Sequence, residues 1–146
     1  MNTSAAPSRP TFVLFPLGSK RFAIPAAAVK ELAVQGHRQA IPVTTPLMSG
    51  LLVRRGQIVP VCDAAAVLSN SQVERKGLYL IANREFENGA QEWTAIEVSG
   101  DCELCTAELL APTGKLPDYV TGLLSLHDEI VEVLDVDRLA NSAVRK

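Results

Sequence analysis

The sequence predicts an all-β protein built from two small five-stranded β-barrels, and two observations carry that reading. The first is a repeat. Residues 50–63 lie over residues 122–135 without a gap, at an offset of 72, and are identical at seven places: Gly50-Leu51-Leu52, Ile58-Val59, Val61 and Asp63 recur as Gly122-Leu123-Leu124, Ile130-Val131, Val133 and Asp135. Self-similarity at half the chain length marks a duplicated unit. The second is punctuation. Short β-prone runs are separated by Gly, Pro, Ser and Asn turns that leave room only for helical turns, which argues for barrels rather than a parallel α/β sheet.

Each element follows in order. Thr11 to Leu17 and Arg21 to Ile24 are apolar, β-prone runs joined by Gly18-Ser19-Lys20, a hairpin. Pro25-Ala26-Ala27-Ala28 is a helical turn before the strand Val29-Lys30-Glu31-Leu32. Pro42 and Pro46 make the next stretch an extended connector, and Gly50 opens the repeated hairpin, bent at Arg55-Gly56. Asp63 then caps a short helix through Leu68, and residues 69–76 form a polar linker. The cycle restarts: Leu78 to Ala82 replays the first strand and Trp93 to Val98 the second, with Asn83 to Glu92 expected as a mobile polar loop. Pro112 and Pro117 flank a second connector, the hairpin returns with His127 on its bend, and Asp135 caps a helix through Leu139. The expected organisation is a disordered tail over 1–10, a single domain over 11–140 and a tail over 141–146. That domain comprises subdomains at about 11–68 and 77–140 joined by the linker. Each piece is near the lower size limit for an independent core, so the halves are expected to share one and to be unstable apart.

Composition excludes several classes. Apolar residues make up 47% of 146, mean hydropathy is +0.15, and no apolar run approaches the roughly 18 to 20 residues that span a bilayer. The first ten residues lack a basic segment followed by an apolar one, so no secretory signal is read and the cytoplasm is the expected location. The net charge of −2 conceals an asymmetry. Residues 1–73 carry seven basic side chains against Glu31 and Asp63, giving +5, while residues 74–146 carry seven basic against fourteen acidic, giving −7. A bipolar body favours head-to-tail self-association or two different partners. Nucleic acid is not among them, because no lysine-rich run or aromatic-basic stripe is present.

Sharper chemistry finds little footing. Asp63 and Asp135 are repeat-related, as the paired carboxylates of an aspartic protease are, but neither sits in an Asp-Thr-Gly-like turn, and N-capping accounts for both. Cys102-Glu103-Leu104-Cys105 is a lone Cys-x-x-Cys, and a strand would send its two cysteines to opposite faces. His37 and His127 have no nucleophile at a triad spacing, Trp93 reads as packing between the barrels, and there is no phosphate-binding glycine loop. No cofactor or metal is expected, and a small-ligand or metal-binding β-barrel stands as the rival from another class.

The segments Phe12-Val13-Leu14-Phe15, Phe22-Ala23-Ile24-Pro25, Val29-Lys30-Glu31-Leu32 and Gly50-Leu51-Leu52, with Arg55-Gly56-Gln57-Ile58-Val59-Pro60-Val61-Cys62-Asp63, resemble the CheW family of chemotaxis coupling proteins. Tyr119-Val120-Thr121-Gly122 and Val131 to Leu139 resemble that family's closing segment. The resemblance implies two SH3-like barrels related by a pseudo-twofold. It also implies a non-enzymatic adaptor that holds the regulatory domain of a histidine kinase against the cytoplasmic tips of transmembrane chemoreceptors, the receptor lying in the groove between barrels. By motif position it assigns partner contacts to Val29, Glu31, Leu32, Arg55 and Ile58, with Glu31 and Arg55 expected as exposed charges. The chain departs from the family pattern at Val53-Arg54, where Asn-Leu is frequent, and at Asp63-Ala64-Ala65, where Asp-Leu-Arg is frequent. These departures leave open an accessory scaffold that fills array positions without activating a kinase.

Overall fold

A computed structural model of the chain describes residues 9–42, 49–68, 76–85 and 88–139. Most of both expected tails, Pro46 and nearly all of the 69–76 linker lie outside those residues. Among the described residues the chain runs β1 (Thr11–Leu17), β2 (Lys20–Pro25), a 3₁₀ turn (Ala26–Ala28), β3 (Val29–Gln35), β4 (Gly50–Arg54), β5 (Gln57–Cys62) and α1 (Ala64–Leu68). It continues through β6 (Leu78–Glu85), β7 (Gln91–Val98), β8 (Glu103–Thr106), β9 (Val120–Leu126) and β10 (Glu129–Leu134).

The strands form two five-stranded sheets. Sheet I has the order β8-β1-β2-β10-β9 and sheet II the order β3-β6-β7-β5-β4. An offset of 72 carries β2, β3, β4 and β5 onto β7, β8, β9 and β10, and β1 corresponds to β6 at an offset of 67, so one order converts into the other. The registers agree too, since Val133 faces Ala23 across the parallel pair β10–β2 and Val61 faces Ala95 across β5–β7. The expected pseudo-twofold is therefore present, but the strands do not sort by halves. Sheet I takes its first hairpin from the N-terminal half and β8, β9 and β10 from the C-terminal half; sheet II takes the reverse. This corrects the division into a barrel from 11–68 and another from 77–140. The chain crosses from one sheet to the other through the three residues of the 3₁₀ turn, so the two halves are interlocked.

That exchange explains the composition of the strands. β1 is apolar at nearly every position because both its faces are buried. Val13, Phe15 and Leu17 enter a core shared by the sheets, which also holds Phe22, Ile24, Leu80, Ala82, Ile96, Val98 and Leu134. Phe12 and Leu14 point the other way, into an interior cluster of sheet I with Leu124, Val131 and Val133. Sheet II has the matching cluster of Leu52, Val59, Val61, Tyr79, Ile81 and Ala95. Trp93 packs against this interior cluster rather than between the barrels.

Each sheet is closed toward a barrel by the segment that follows its first strand. Gln39, beyond β3, exchanges backbone hydrogen bonds of 2.7 and 2.9 Å with Leu51 of β4, and Leu110, beyond β8, does the same with Leu123 of β9 at 2.9 Å. The repeated glycine belongs to this crossing. A Cβ on Gly50 would lie 2.9 Å from the Gln39 carbonyl oxygen, and one on Gly122 2.9 Å from that of Leu110. The capped turns recur as expected: Asp63 accepts from the Ala66 amide at 3.4 Å and Asp135 from the Arg138 amide at 3.0 Å. The mobile loop expected over Asn83 to Glu92 is strand at both its ends, since Asn83 pairs with Trp93, Arg84 with Glu92 and Glu85 with Gln91. Its polar side chains suit the exposed end of a hairpin whose backbone is still laddered.

Candidate partner-docking site at the mouth of sheet II

β3 and β4 are the outer strands of sheet II, and Glu31 links them across the barrel's closure. The Arg54 guanidinium donates to its carboxylate through Nε at 3.1 and 3.0 Å and through Nη2 at 2.6 Å, a bidentate grip. Arg55 adds longer contacts, Nε at 3.3 Å and Nη2 at 3.4 Å. The Glu31 side chain is only 12% exposed, whereas Arg55 is 66% exposed. The hydrogen bonds from Arg54, with those from Arg55, outweigh desolvation and pull the Glu31 carboxyl down to about 2. Arg55 sits on the bend with φ 53°, followed by Gly56 at φ 76°, the left-handed pair a tight hairpin needs. On the outward face beside that bend, Val53 and Ile58 are cross-strand partners, and both are exposed, Ile58 at 70%. The mouth thus combines an internally satisfied carboxylate, one guanidinium with little to do, and bare aliphatic surface.

Residues 11–144 match the family described as the CheW-like domain. The chain belongs to that family. It is 25% identical over 138 residues to the protein named chemotaxis protein CheW in Klebsiella aerogenes, an alignment covering 90% of this chain and 81% of that one. The crystal structure of the scaffolding protein TtCheW from Thermoanaerobacter tengcongensis superposes with a TM-score of 0.76 at 17% identity, covering 95% of this chain and 92% of the other. At that identity the likeness concerns the fold.

Within this CheW-like domain the five sequence-predicted positions separate. Glu31 and Arg55 are brought into contact, and Leu32 and Ile58 are exposed on β3 and β5 of the same sheet. Val29 is half-buried against the shared core. Glu31, expected as an exposed charge, is instead mostly covered and held by Arg54. Arg54 is the residue that sequence reasoning passed over as a site. Its role depends on a contact 23 residues away that exists only when the barrel closes.

Two other candidates fall elsewhere. Cys102 packs against the shared core and Cys105 against the interior of sheet I, on the opposite sides expected of a strand. Burial lifts the Cys102 thiol to about 11 and the Cys62 thiol to about 12, which disfavours thiolate chemistry at either. No group of three or more His, Cys, Asp or Glu among the described residues could hold a metal ion.

Proposed function

We propose that the chain is a non-enzymatic adaptor that couples chemoreceptor cytoplasmic tips to a chemotaxis-type histidine kinase in a chemosensory array governing flagellar or type IV pilus motility. The observation that carries this reading is the family match over residues 11–144, which spans both sheets. The sheet II mouth supplies a physical means. Arg55 meets a partner carboxylate while Leu32 and Ile58 offer aliphatic contact, and Glu31 and Val29 act from beneath, by holding Arg55 and the strand in place. Apolar surface with one fixed charge gives affinity from burial and register from the charge. The protein works in the cytoplasm and is recruited to membrane-associated receptors. Arg54 favours a second reading, an accessory scaffold that fills array positions without activating the kinase, because it withdraws Glu31 from any partner.

Co-purification of the tagged protein from its own cells is expected to bring down a histidine kinase and chemoreceptors together. Recovery of neither would overturn the proposal. Kinase autophosphorylation in a reconstituted mixture with receptor then separates the two readings: stimulation supports the coupler, and incorporation without stimulation the accessory scaffold.

A further inference from the structure

The mouth of sheet I shows how a glutamate at the place of Glu31 stands when no arginine is beside it. Glu103 lies 72 residues from Glu31, and at the same offset Leu126 takes the place of Arg54. Leu126 packs against the interior cluster of sheet I, and its side chain has no donor to offer a carboxylate. The guanidinium nearby, Arg21, is spent on Glu129, through Nε at 3.2 and 3.3 Å and Nη2 at 2.6 Å, and reaches Glu103 at 3.4 Å. Glu103 is therefore a surplus charge, 67% exposed. At the mouth of sheet II, Arg54 clamps Glu31 at 2.6 Å and the carboxylate side chain is 12% exposed. One mouth carries a guanidinium in excess and the other a carboxylate in excess, and the position that differs beside the two glutamates is 54 against 126.

We infer that Arg54 is the residue that sets which partner the sheet II mouth accepts, by closing Glu31 to cations and leaving Arg55 free for a carboxylate. The inference rests on the adaptor reading and specifies the surface the kinase regulatory domain must bring: an acidic side chain opposite Arg55, with no basic group aimed at Glu31. An amine or guanidinium approaching Glu31 meets Arg54 already seated on both carboxylate oxygens, and like charges brought together at a contact are strongly unfavourable. A carboxylate approaching Arg55 meets a guanidinium that is 66% exposed and gives up only contacts of 3.3 and 3.4 Å. Leucine at this position, the form frequent in the family, reverses both effects. Glu31 is then open to a cation, as Glu103 is, or draws Arg55 back onto itself. Val53 and Ile58, exposed at 60% and 70%, offer the same aliphatic contact to either kind of partner, so the choice falls to the charges. Selectivity gained by penalising the wrong partner is as effective as selectivity gained by rewarding the right one.

The test compares the affinity of the full chain for two regulatory domains. One comes from the chemotaxis histidine kinase of the same cells, the other from a kinase whose own CheW-family adaptor carries Asn-Leu at the positions of Val53-Arg54. The wild type is expected to prefer the first by about tenfold or more. Arg54→Leu should reduce that preference by about tenfold or more, weakening the first contact and strengthening the second. Arg54→Lys, which keeps a cation on Glu31, should retain most of it. In a Glu31→Gln background, Arg54→Leu should move the ratio by less than about threefold, because the carboxylate through which it acts is gone. Melting curves accompany each variant, and the folded mouth of sheet I already carries leucine at the equivalent place. A ratio unchanged by Arg54→Leu would overturn the inference. So would an equal change with Glu31→Gln in place, a loss in Arg54→Lys as large as in Arg54→Leu, or a wild type that binds both domains equally. Binding of the wild type to neither domain would overturn the adaptor reading itself, which keeps the two failures distinct.

Discussion

At the mouth of sheet II a carboxylate is shared by two guanidiniums, and at the mouth of sheet I a guanidinium is shared by two carboxylates, on backbones that repeat at 72 residues. The duplication preserved what the barrel needs: the glycine at the crossing strand, the apolar ladder, the capping aspartate. It did not preserve the residue at the bend, where Arg55 corresponds to His127. The two mouths also differ in depth. Glu31 is nearly enclosed and bridges the sheet's outer strands, whereas its counterpart Glu103 is two-thirds exposed. The part-buried clamp is expected to contribute more to stability than the exposed pair does.

The largest effect tests whether the mouths hang on one core. Phe15→Ala removes a fully buried ring from the cluster shared by both sheets and is expected to cost about 3–5 kcal/mol. Unfolding should stay a single transition, because the hairpins are exchanged; two separated transitions in calorimetry would mean that the sheets are independent. Glu31→Ala against Glu103→Ala sharpens the comparison. The first is expected to lose about 2 kcal/mol by removing charge-assisted hydrogen bonds and stranding Arg54, the second under about 0.5 kcal/mol as an exposed pair. Urea unfolding of both variants measures the difference, and equal losses would erase the distinction between clamp and surplus charge.

Acid provides the next measure. The Glu31 carboxyl is lowered from 4.5 to about 2, so its contribution is fully present above pH 4.5 and is lost as pH falls toward 2. Discounted for solvent screening, this amounts to about 1 kcal/mol. Glu129 is lowered in the same direction by its hydrogen bond to Arg21. The stability gap between wild type and Glu31→Gln should therefore narrow as pH drops through that window, and a gap independent of pH would contradict the ionic origin. The smallest effect lies in the bends. Arg55 and His127 both hold positive φ, at 53° and 45°, so Arg55→Gly and His127→Gly should each be neutral or stabilising by about 0.5 kcal/mol in thermal melts. Destabilisation of one alone would show that its side chain supports the fold.

Much of the fold was legible in the sequence because turns and caps are local. Arg55-Gly56 bends where the repeat places a bend, and Asp63 and Asp135 cap where the pattern puts caps. The exchange of hairpins was not legible. In a duplicated unit each strand has two candidate partners 72 residues apart with the same apolar pattern, and local signals cannot choose between them. The pairing of Arg84 with Glu92 was hidden for another reason: a hairpin end with polar side chains reads as a loop even when its backbone is laddered. At the site, Arg55 and Ile58 could be found by motif position, whereas Glu31's satisfaction by Arg54 required knowing that β3 and β4 meet across the closed barrel.

Adjacent arginines with opposite roles provide the most direct test. Arg54→Ala and Arg55→Ala are measured side by side, each for thermal stability and for affinity toward the regulatory domain of the chemotaxis histidine kinase from the same cells. Arg54→Ala is expected to lower stability by about 1–2 kcal/mol through the loss of the bidentate bond. Arg55→Ala is expected to leave stability within about 0.5 kcal/mol and to weaken binding by about 2 kcal/mol, roughly thirtyfold. Unchanged binding in Arg55→Ala, or a stability loss that follows Arg55 instead of Arg54, would contradict the assignment of one arginine to the barrel and the other to the partner.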